Sequence, residues 1–190
     1  MKRLATVTAV LALAGTGAIA TAAPAHADGR TCTGIMSKRT IDGDLVVPAG
    51  KTCRVNSLKV KGNIKVRKGA TLRSYHSTVE GNIQAEGHKY VRYTYGWVDG
   101  DIQLEDGLTH HLRNAFVDGN IQLEGNRGFA QNVIKSRTDG DIQLFSNRKG
   151  TKHVYENRVY GNLQCKSNTP APKGWSNRVS GDKEGQCARL

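Results

Sequence analysis

After residue 27 the sequence lacks any apolar run long enough to span a membrane, so no transmembrane segment is predicted there. The chain is also poor in apolar residues, which make up 37% of its 190 residues, and this argues against a thick hydrophobic core. Glycine is frequent by contrast, and 20 of the 22 glycines lie between residues 28 and 190. Because those glycines recur at a regular spacing, the composition indicates an ordered chain rather than a disordered one.

The long apolar run of this chain lies at its start. Residues 1–27 begin with Met1-Lys2-Arg3, continue through an apolar stretch from Leu4 to Ala20, and end with Ala25-His26-Ala27. This order is typical of a signal peptide, so we expect export and an extracellular location. Residues 28–190 would then form a single secreted domain, in which 26 basic and 16 acidic residues give a formal charge of +10.

One motif with the shared form V-x-G-[DN]-[IL]-Q-[LV] recurs eight times along the chain, with substitutions in most copies and a decayed last copy, VSGDKEG. Its glycines are spaced by 19, 19, 19, 19, 21, 21 and 20 residues, and they are Gly43, Gly62, Gly81, Gly100, Gly119, Gly140, Gly161 and Gly181. Apolar and polar residues alternate within each copy, which predicts a strand. A unit of about twenty residues cannot bury its own apolar face, whereas stacked units share one. We therefore predict an all-β fold, a right-handed parallel β-helix (β-solenoid) of about eight 19–21-residue coils and roughly 38 Å in length.

Stacking turns each motif position into a column that runs along the rod. One inward column is predicted to hold Ile64, Ile83, Ile102, Ile121, Ile142 and Leu163, and another Val60, Val79, Val98, Val117 and Val159. Outward columns are predicted for Asp44, Asn63, Asn82, Asp101, Asn120, Asp141 and Asn162, and for Gln84, Gln103, Gln122, Gln143 and Gln164. These polar columns either stabilise the rod through hydrogen bonds along its axis or face a partner.

The four cysteines are predicted to close both ends of the rod. Cys32 and Cys53 are 21 residues apart, and Cys165 and Cys187 are 22 apart, which is close to one coil in each case. Residues one coil apart lie at similar positions on adjacent coils, so we expect these two disulfides in an oxidising compartment. A zinc site is the competing interpretation, but the sequence lacks the closely spaced cysteine pairs that it needs.

The candidate binding surface is a mostly basic column eight residues before each motif glycine, which holds Arg54, Arg73, Arg92, His111, Asn132, His153 and Lys173. Arginine forks bind carboxylate or phosphate, and aromatic rings pack against sugar rings. We therefore expect binding of an extracellular or cell-wall polymer, a glycan or a polyanion, by a basic and aromatic wall. The residues assigned to it are Arg54, Arg73, Arg92, His111, Tyr93, Tyr95 and Trp97.

Two further columns describe how charge is distributed around the coil. Three residues before each glycine stand Lys59, Thr78, Trp97, Phe116, Arg137, Arg158 and Arg178. One residue before the glycines stand Asp42, Glu80, Asp99, Asp118 and Asp139. From this order we expect acidic charge on the sheet that carries the motif and basic charge on the opposite wall.

Two other functions fit the same sequence. The β-helical pectate lyases and glycoside hydrolases act on polysaccharides, and a catalytic pair could come from Asp99, Asp101, Asp118, Asp139 and Asp141. A lyase needs acidic ligands beside an Arg or Lys base, whereas acids and bases are predicted here on different faces, so catalysis is the lesser hypothesis. The other alternative is a passive structural or self-associating protein with a solvated basic face.

No cofactor and no metal site are predicted, because the chain contains no P-loop, Rossmann fingerprint, nucleophile elbow or H-E-x-x-H motif. His110 and His111 point to opposite sides of a strand, and His111 and His153 lie two coils apart, so neither pair forms a ready ligand set. The chain also lacks a recognised nucleic-acid-reading module, and no specific nucleic acid is expected as a partner. We expect a monomer without a membrane span.

The leader, the G-[DN]-[IL]-Q repeat and the closing stretch from Gly161 to Leu190 together resemble a group of small secreted β-solenoid proteins from actinobacteria. The resemblance covers nearly all of residues 28–190 and implies a fold and a location, with no catalytic motif to carry over. The chain is also similar to bactofilins in being a one-domain solenoid. Those are cytoplasmic polymers without an export signal or end-closing disulfides, and both differences argue against an end-to-end filament.

Overall fold

A computed structural model describes residues 29–190, in which all helical or strand structure is β-strand. The predicted signal peptide lies outside the described residues. Within residues 29–190 there is no helix that could cross a membrane. The strands are β1 Arg30–Thr31, β2 Ile35–Ile41, β3 Leu45–Val47, β4 Thr52–Val60, β5 Ile64–Val66, β6 Thr71–Tyr75, β7 Thr78–Val79, β8 Ile83–Glu86, β9 Tyr90–Thr94, β10 Trp97–Val98, β11 Ile102–Glu105, β12 Thr109–Arg113, β13 Phe116–Val117, β14 Ile121–Glu124, β15 Ala130–Ile134, β16 Arg137–Thr138, β17 Ile142–Phe145, β18 Thr151–Tyr155, β19 Arg158–Val159, β20 Leu163–Lys166, β21 Arg178–Val179 and β22 Lys183–Gly185.

The strands form two parallel sheets, which confirms the parallel β-solenoid of about eight coils. The nine-stranded sheet runs β1-β3-β5-β8-β11-β14-β17-β20-β22 and carries the glutamines, so we call it the Gln face. The 13-stranded sheet covers two faces because β4 bends between them, pairing with β6 through Thr52–Asn56 and with β7 through Lys59–Val60. The Arg face holds the first part of β4 with β6, β9, β12, β15 and β18, and the short face holds its last part with β7, β10, β13, β16, β19 and β21. The thirteenth strand, β2, pairs with β4 over both faces.

Two of the three corners contain a single residue with left-handed backbone. One corner lies between the Gln face and the Arg face, and the other lies between the Arg face and the short face. Between the Arg face and the short face, every coil places one non-glycine residue at a φ between 48° and 57°. These residues are Lys38, Ser57, His76, Tyr95, Asn114, Lys135, Glu156 and Ser176. A left-handed residue turns the chain sharply and interrupts the strand alternation. Tyr93 is therefore buried while Tyr95, two residues further on, is exposed, whereas uninterrupted alternation would direct both to the same side.

The third corner is the Gly-Asp/Asn step of the motif, and it explains why both residues recur. The Oδ1 atom of each Asp or Asn accepts a hydrogen bond from the backbone N–H of its counterpart in the next coil. The seven bonds run from Asp44 to Asp182 with N···O distances of 2.6–2.8 Å. The glycines leave room for this contact, since a Cβ on Gly81 would lie 2.6 Å from Oδ1 of Asn63 and 2.8 Å from the carbonyl oxygen of Gly62. The Asp/Asn column is therefore structural.

Other polar columns also hold neighbouring coils together. On the Gln face, Nε2 of Gln84 donates to Oε1 of Gln103 at 3.2 Å, and Gln143 donates to Gln164 at 2.9 Å. Two buried asparagine columns, Asn126-Asn147-Asn168 and Asn157-Asn177, satisfy backbone groups at the other corners of the later coils. Buried polar groups are paired along most of the rod, as the burial of an amide requires.

The core is narrow and consists of the predicted columns. The isoleucine column and the valine column are both buried, with exposed fractions of 0–1%. The register confirms the isoleucine column, in which Ile102 pairs with Ile83 on one side and with Ile121 on the other. Both predicted disulfides are present, Cys32–Cys53 and Cys165–Cys187, with Cα atoms 5.4 and 5.2 Å apart. Each joins a terminal coil to its neighbour, where an open sheet edge would otherwise fray.

The Asp101→Ala variant tests the structural role of the Asp/Asn column. Asp101 accepts a hydrogen bond from the backbone N–H of Asn120 at 2.7 Å, and alanine leaves this N–H without a partner. We expect the free energy of unfolding, measured by urea titration under oxidising conditions, to fall by about 1–3 kcal/mol. Asp101→Asn is the matched control because it keeps the acceptor oxygen, and we expect it to remain within about 0.5 kcal/mol of wild type. Equal losses in the two variants would contradict this role.

Candidate polymer-binding face

The predicted basic column exists and lies on the Arg face. Backbone register places Arg54 beside Arg73, Arg73 beside Arg92, and Arg92 beside His111. All three arginines are exposed, and the His111 side chain is partly exposed. Adjacent strands of a sheet lie about 4.8 Å apart, so the column presents cationic groups at a short, regular interval. Further along, the same column contains Asn132, His153 and Lys173, as predicted.

The charge of the three arginines is not neutralised within residues 29–190. Five ion pairs occur there, and none involves Arg54, Arg73 or Arg92. Like charges directly opposite each other on neighbouring strands destabilise a sheet. An anion bound along the column would relieve this repulsion, so the arrangement favours an anionic ligand.

An aromatic ring lies within the same face. Tyr90 pairs in register with Thr71 and Thr109, in the outward column next to the arginines. The guanidinium carbon of Arg73 lies 4.7 Å from the centroid of the Tyr90 ring, and the His111 ring lies 5.7 Å from it on the other side. The cation–π contact fixes the Arg73 fork while leaving its N–H groups free for an acceptor. Tyr90 is thus the aromatic residue that the geometry joins to the arginines.

A loop of the following coils turns this face into an open groove of about 480 Å³. Its cationic lining comes from Arg54, Arg73, Lys89 and Arg127, and its apolar lining from Tyr90, Leu108 and Phe129. Phe129 is 88% exposed, which is unusual for a large aromatic residue of a folded protein. Arg127, Gly128 and Phe129 come from the loop between β14 and β15, where the coil length rises from 19 to 21 residues.

Three residues predicted for the wall lie elsewhere. Tyr93 is fully buried, and its hydroxyl oxygen lies 2.7 Å from the carbonyl oxygen of Ser77 and 2.8 Å from that of Trp97. The prediction that Tyr93 contacts a polymer is therefore wrong, because its strand neighbour Arg92 points outward and alternation directs Tyr93 into the core. Tyr95 lies at the corner after the Arg face, and Trp97 lies on the short face.

The expected separation of acidic and basic faces is also wrong. The acidic column lies two residues from the Lys59–Arg178 column, so both face outward from the short face. Direct ion pairs follow, with Arg137 3.1 Å from Asp139 and Lys59 2.8 Å from Glu80. Among the described residues, the groove on the Arg face is lined by basic residues and by no acidic residue.

The carboxylates considered for catalysis fall into two groups. Oδ1 of Asp101 and of Asp141 accepts the backbone N–H of the next coil, which is a structural use of those oxygens. Asp99, Asp118 and Asp139 are exposed on the short face, away from the groove. Within residues 29–190, no three His, Cys, Asp or Glu side chains are grouped so that they could hold a metal ion.

Beneath the Arg face the core becomes polar. The inward column changes from Leu72 and Val91 to His110, Gln131 and Lys152, all of them buried. Nζ of Lys152 donates to the carbonyl oxygen of Lys149 at 2.7 Å, and burial lowers the pKa of this amine. On the outer side, burial and then the charge of Arg92 lower the pKa of His111. Its Nδ1 atom accepts a hydrogen bond from Nδ2 of Asn132 at 3.0 Å, which the neutral ring allows.

Two buried histidines lack compensating partners. The rings of His88 and His110 have centroids 6.1 Å apart, and neither forms a hydrogen bond of normal geometry with the described residues. Burial lowers the pKa of His88 to about 4, an effect that the Ala85 carbonyl offsets only in part. Burial also lowers the pKa of His110 well below its usual value, and the charges of His88, His111 and Lys152 add to this effect.

Comparison of the chain with protein families, with curated proteins and with solved structures gives no match. Inference of function for this chain therefore rests on its fold and on the geometry of the Arg face.

We predict that acid weakens the fold through the buried histidines. In the unfolded chain His88 takes up a proton near pH 6.5, whereas the folded chain resists it until about pH 4, so stability is lost as the pH falls between these values. His88 alone accounts for about 3 kcal/mol over this interval. The measurement is the free energy of unfolding at pH 7 and pH 4.5 for wild type and His88→Leu. We expect a smaller loss with acid in the variant, whatever its stability at pH 7, and an identical loss would contradict the prediction.

Proposed function

We propose that this protein is an exported, noncatalytic binding module that holds an anionic extracellular or cell-envelope polymer along its Arg face. The observation that carries the proposal is the column of Arg54, Arg73 and Arg92, three exposed guanidinium groups in register without an acidic partner in the described residues. The two disulfides and the leader-like residues 1–27 support the exported location.

The arrangement fits an extended ligand better than a compact one. The column advances by one strand spacing per coil, so successive arginines meet successive groups of a chain lying along the rod. Arginine forks make paired hydrogen bonds to carboxylate or phosphate, which suits uronate or phosphate groups that repeat along a polymer. A compact anion would engage one or two of these forks and leave the remaining repulsion in place.

The apolar lining adds a preference for sugar. The Tyr90 ring lies among the arginines, and Phe129 projects from the loop at the edge of the groove. Aromatic faces pack against the C–H faces of pyranose rings, a contact that a bare polyphosphate cannot make. An acidic glycan, or a glycan chain with phosphate groups, therefore contacts both the cationic and the apolar residues of the groove.

The experiment is depletion of the purified, oxidised protein by immobilised polymers. The panel contains pectate, cell walls with teichoic acid, chitin, cellulose and DNA, at about 50 mM and about 150 mM salt. We expect retention by an acidic glycan to persist at the higher salt and binding to the neutral polymers to be weak. Loss to every polyanion alike, abolished by salt, would mean that net charge alone explains the binding.

The Arg73→Glu/Arg92→Glu double variant locates the site. We expect it to weaken binding of the retained polymer at least about tenfold, since two charge-assisted contacts are replaced by repulsion. The matched control, Arg67→Glu/Lys166→Glu, makes the same change of net charge with two exposed residues outside the Arg face. We expect the control to change affinity less than about twofold at the higher salt. Equal losses in the two double variants would contradict the assignment, and release of reducing ends or unsaturated uronates would contradict a noncatalytic role.

A further inference from the structure

The short face carries a charge pattern that the proposed function does not use. Its outward column, which we call column 1, contains Lys59, Thr78, Trp97, Phe116, Arg137, Arg158 and Arg178 in continuous register. Two residues further along each coil lies column 2, which contains Lys61, Glu80, Asp99, Asp118, Asp139, Tyr160 and Ser180. Backbone hydrogen bonds between adjacent coils keep column 2 aligned beside column 1.

The two halves of this face have opposite character. In its middle coils, column 1 is aromatic and column 2 is acidic. Trp97 and Phe116 are 45% and 44% exposed, and their rings stack at 5.7 Å with an angle of 13°. In the last three coils, column 1 is entirely arginine. Within residues 29–190, neither Asp99 nor Asp118 forms an ion pair, and neither Arg158 nor Arg178 does.

We propose that the short face is a self-complementary interface through which two copies of this chain pair antiparallel. The twofold axis lies in the plane of the face, across the rod, between the coils of Phe116 and Arg137. A rotation about this axis keeps each column opposite itself and reverses the order of the coils. Arg137, Arg158 and Arg178 of one copy then lie opposite Phe116, Trp97 and Thr78 of the second copy, with column 2 to one side.

This register brings complementary chemistry together at the outer coils of the face. At its centre, column 2 places Asp118 opposite Asp139, whose carboxylate lies 3.1 Å from Arg137 of the same chain. Arg158 meets the exposed face of Trp97 in the second copy, and the carboxylate of Asp99 lies one column aside, within reach of the guanidinium fork. Arg137 meets Phe116 beside Asp118, and Arg178 meets Thr78 beside Glu80. Arginine over an aromatic ring is attracted by the π-electrons, and a neighbouring carboxylate adds a charge-assisted hydrogen bond. Because the strand spacing is the same in both copies, one alignment brings all three coils into register, and the twofold axis doubles every contact. The attraction is strongest at the coil of Arg158, which forms no ion pair within residues 29–190.

The size of the face sets the strength of the interface. Six coils at about 4.8 Å give a length of about 29 Å, and a width of about 15 Å gives roughly 400–500 Å² per copy. This is below the area of a standard stable interface, about 800 Å² per partner. The pair is therefore a weak dimer, and the chain is a monomer when dilute.

Sedimentation equilibrium of the oxidised protein, from about 10 to 500 µM and at low and physiological salt, tests the proposal. We expect the mean mass to rise towards that of a dimer as the concentration increases. Arg158→Glu alone and Asp99→Arg alone should each weaken dimerisation at least about tenfold, because each places like charges together at two symmetric positions. The combined Arg158→Glu/Asp99→Arg variant keeps the wild-type net charge and restores the ion pair with reversed signs, but not the contact of Arg158 with Trp97. It should therefore dimerise at least about threefold more tightly than either single variant without reaching wild type.

Two controls separate this face from other charge effects. Arg67→Glu/Lys166→Glu and Arg73→Glu/Arg92→Glu lie outside the short face, and neither should change the dimerisation constant by more than about threefold at physiological salt. Arg73→Glu/Arg92→Glu tests polymer binding, whereas dimerisation is measured without polymer. The dimer measurement therefore keeps its meaning if the proposed polymer binding fails. A mass that stays at the monomer value up to 500 µM overturns the inference, and so does a combined variant that is no better than its single parents.

Discussion

The structure depends on one hydrogen bond repeated along the rod, from the backbone N–H at the glycine corner of one coil to an Asp or Asn oxygen of the coil before. Each coil is too short to bury its own apolar residues, so its stability comes from contacts with its neighbours. A bond that joins equivalent positions of successive coils also excludes a slip of register. Glycine is needed beside it because the side-chain oxygen occupies the space of a Cβ, as at Gly81 and Asn63.

A fixed register has an electrostatic consequence, because it stacks like side chains on like. Apolar columns gain from this, and amide columns gain hydrogen bonds, as Gln84 and Gln103 show. In the acceptor column, no aspartate lies next to another aspartate, so the negative charges of Asp44, Asp101, Asp141 and Asp182 are kept apart. The outer surface departs from this arrangement, since Arg54, Arg73 and Arg92 follow one another directly on the Arg face, and so do Arg137, Arg158 and Arg178 on the short face. Ion pairs such as Arg137–Asp139 offset part of this repulsion on the short face, whereas none of the ion pairs within residues 29–190 involves the three arginines of the Arg face. An anionic ligand would relieve the repulsion that remains, which makes the Arg face the best candidate for function.

Much of the fold could be predicted from the sequence because the glycine spacing fixes the coil, and the coil fixes which residues are neighbours. The strand columns, both disulfides and the order Arg54-Arg73-Arg92-His111 follow from spacing alone. Two predictions are wrong because they neglect the alternation of side chains along the coil. Neighbouring residues of a strand point to opposite sides, so an outward Arg92 directs Tyr93 inward. Arg137 and Asp139 are two residues apart, so both point outward from the same face. Left-handed corner residues such as Tyr95 have no simple sequence signal, because eight different positions use six residue types there. The groove could not be predicted from the repeat, because Phe129 reaches it from a loop outside the repeated motif.

Both disulfides lie at the ends of the rod that residues 29–190 form, and its central coils contain no disulfide. Cys32–Cys53 and Cys165–Cys187 each join a terminal coil to its neighbour, and the coils between them contact only the coils before and after. Duplication of one internal 19-residue unit would therefore lengthen the rod by one strand spacing and leave both caps intact. The architecture permits evolution to change the length of the protein in whole steps, and with it the number of arginines in a column, without designing a new core or a new terminus.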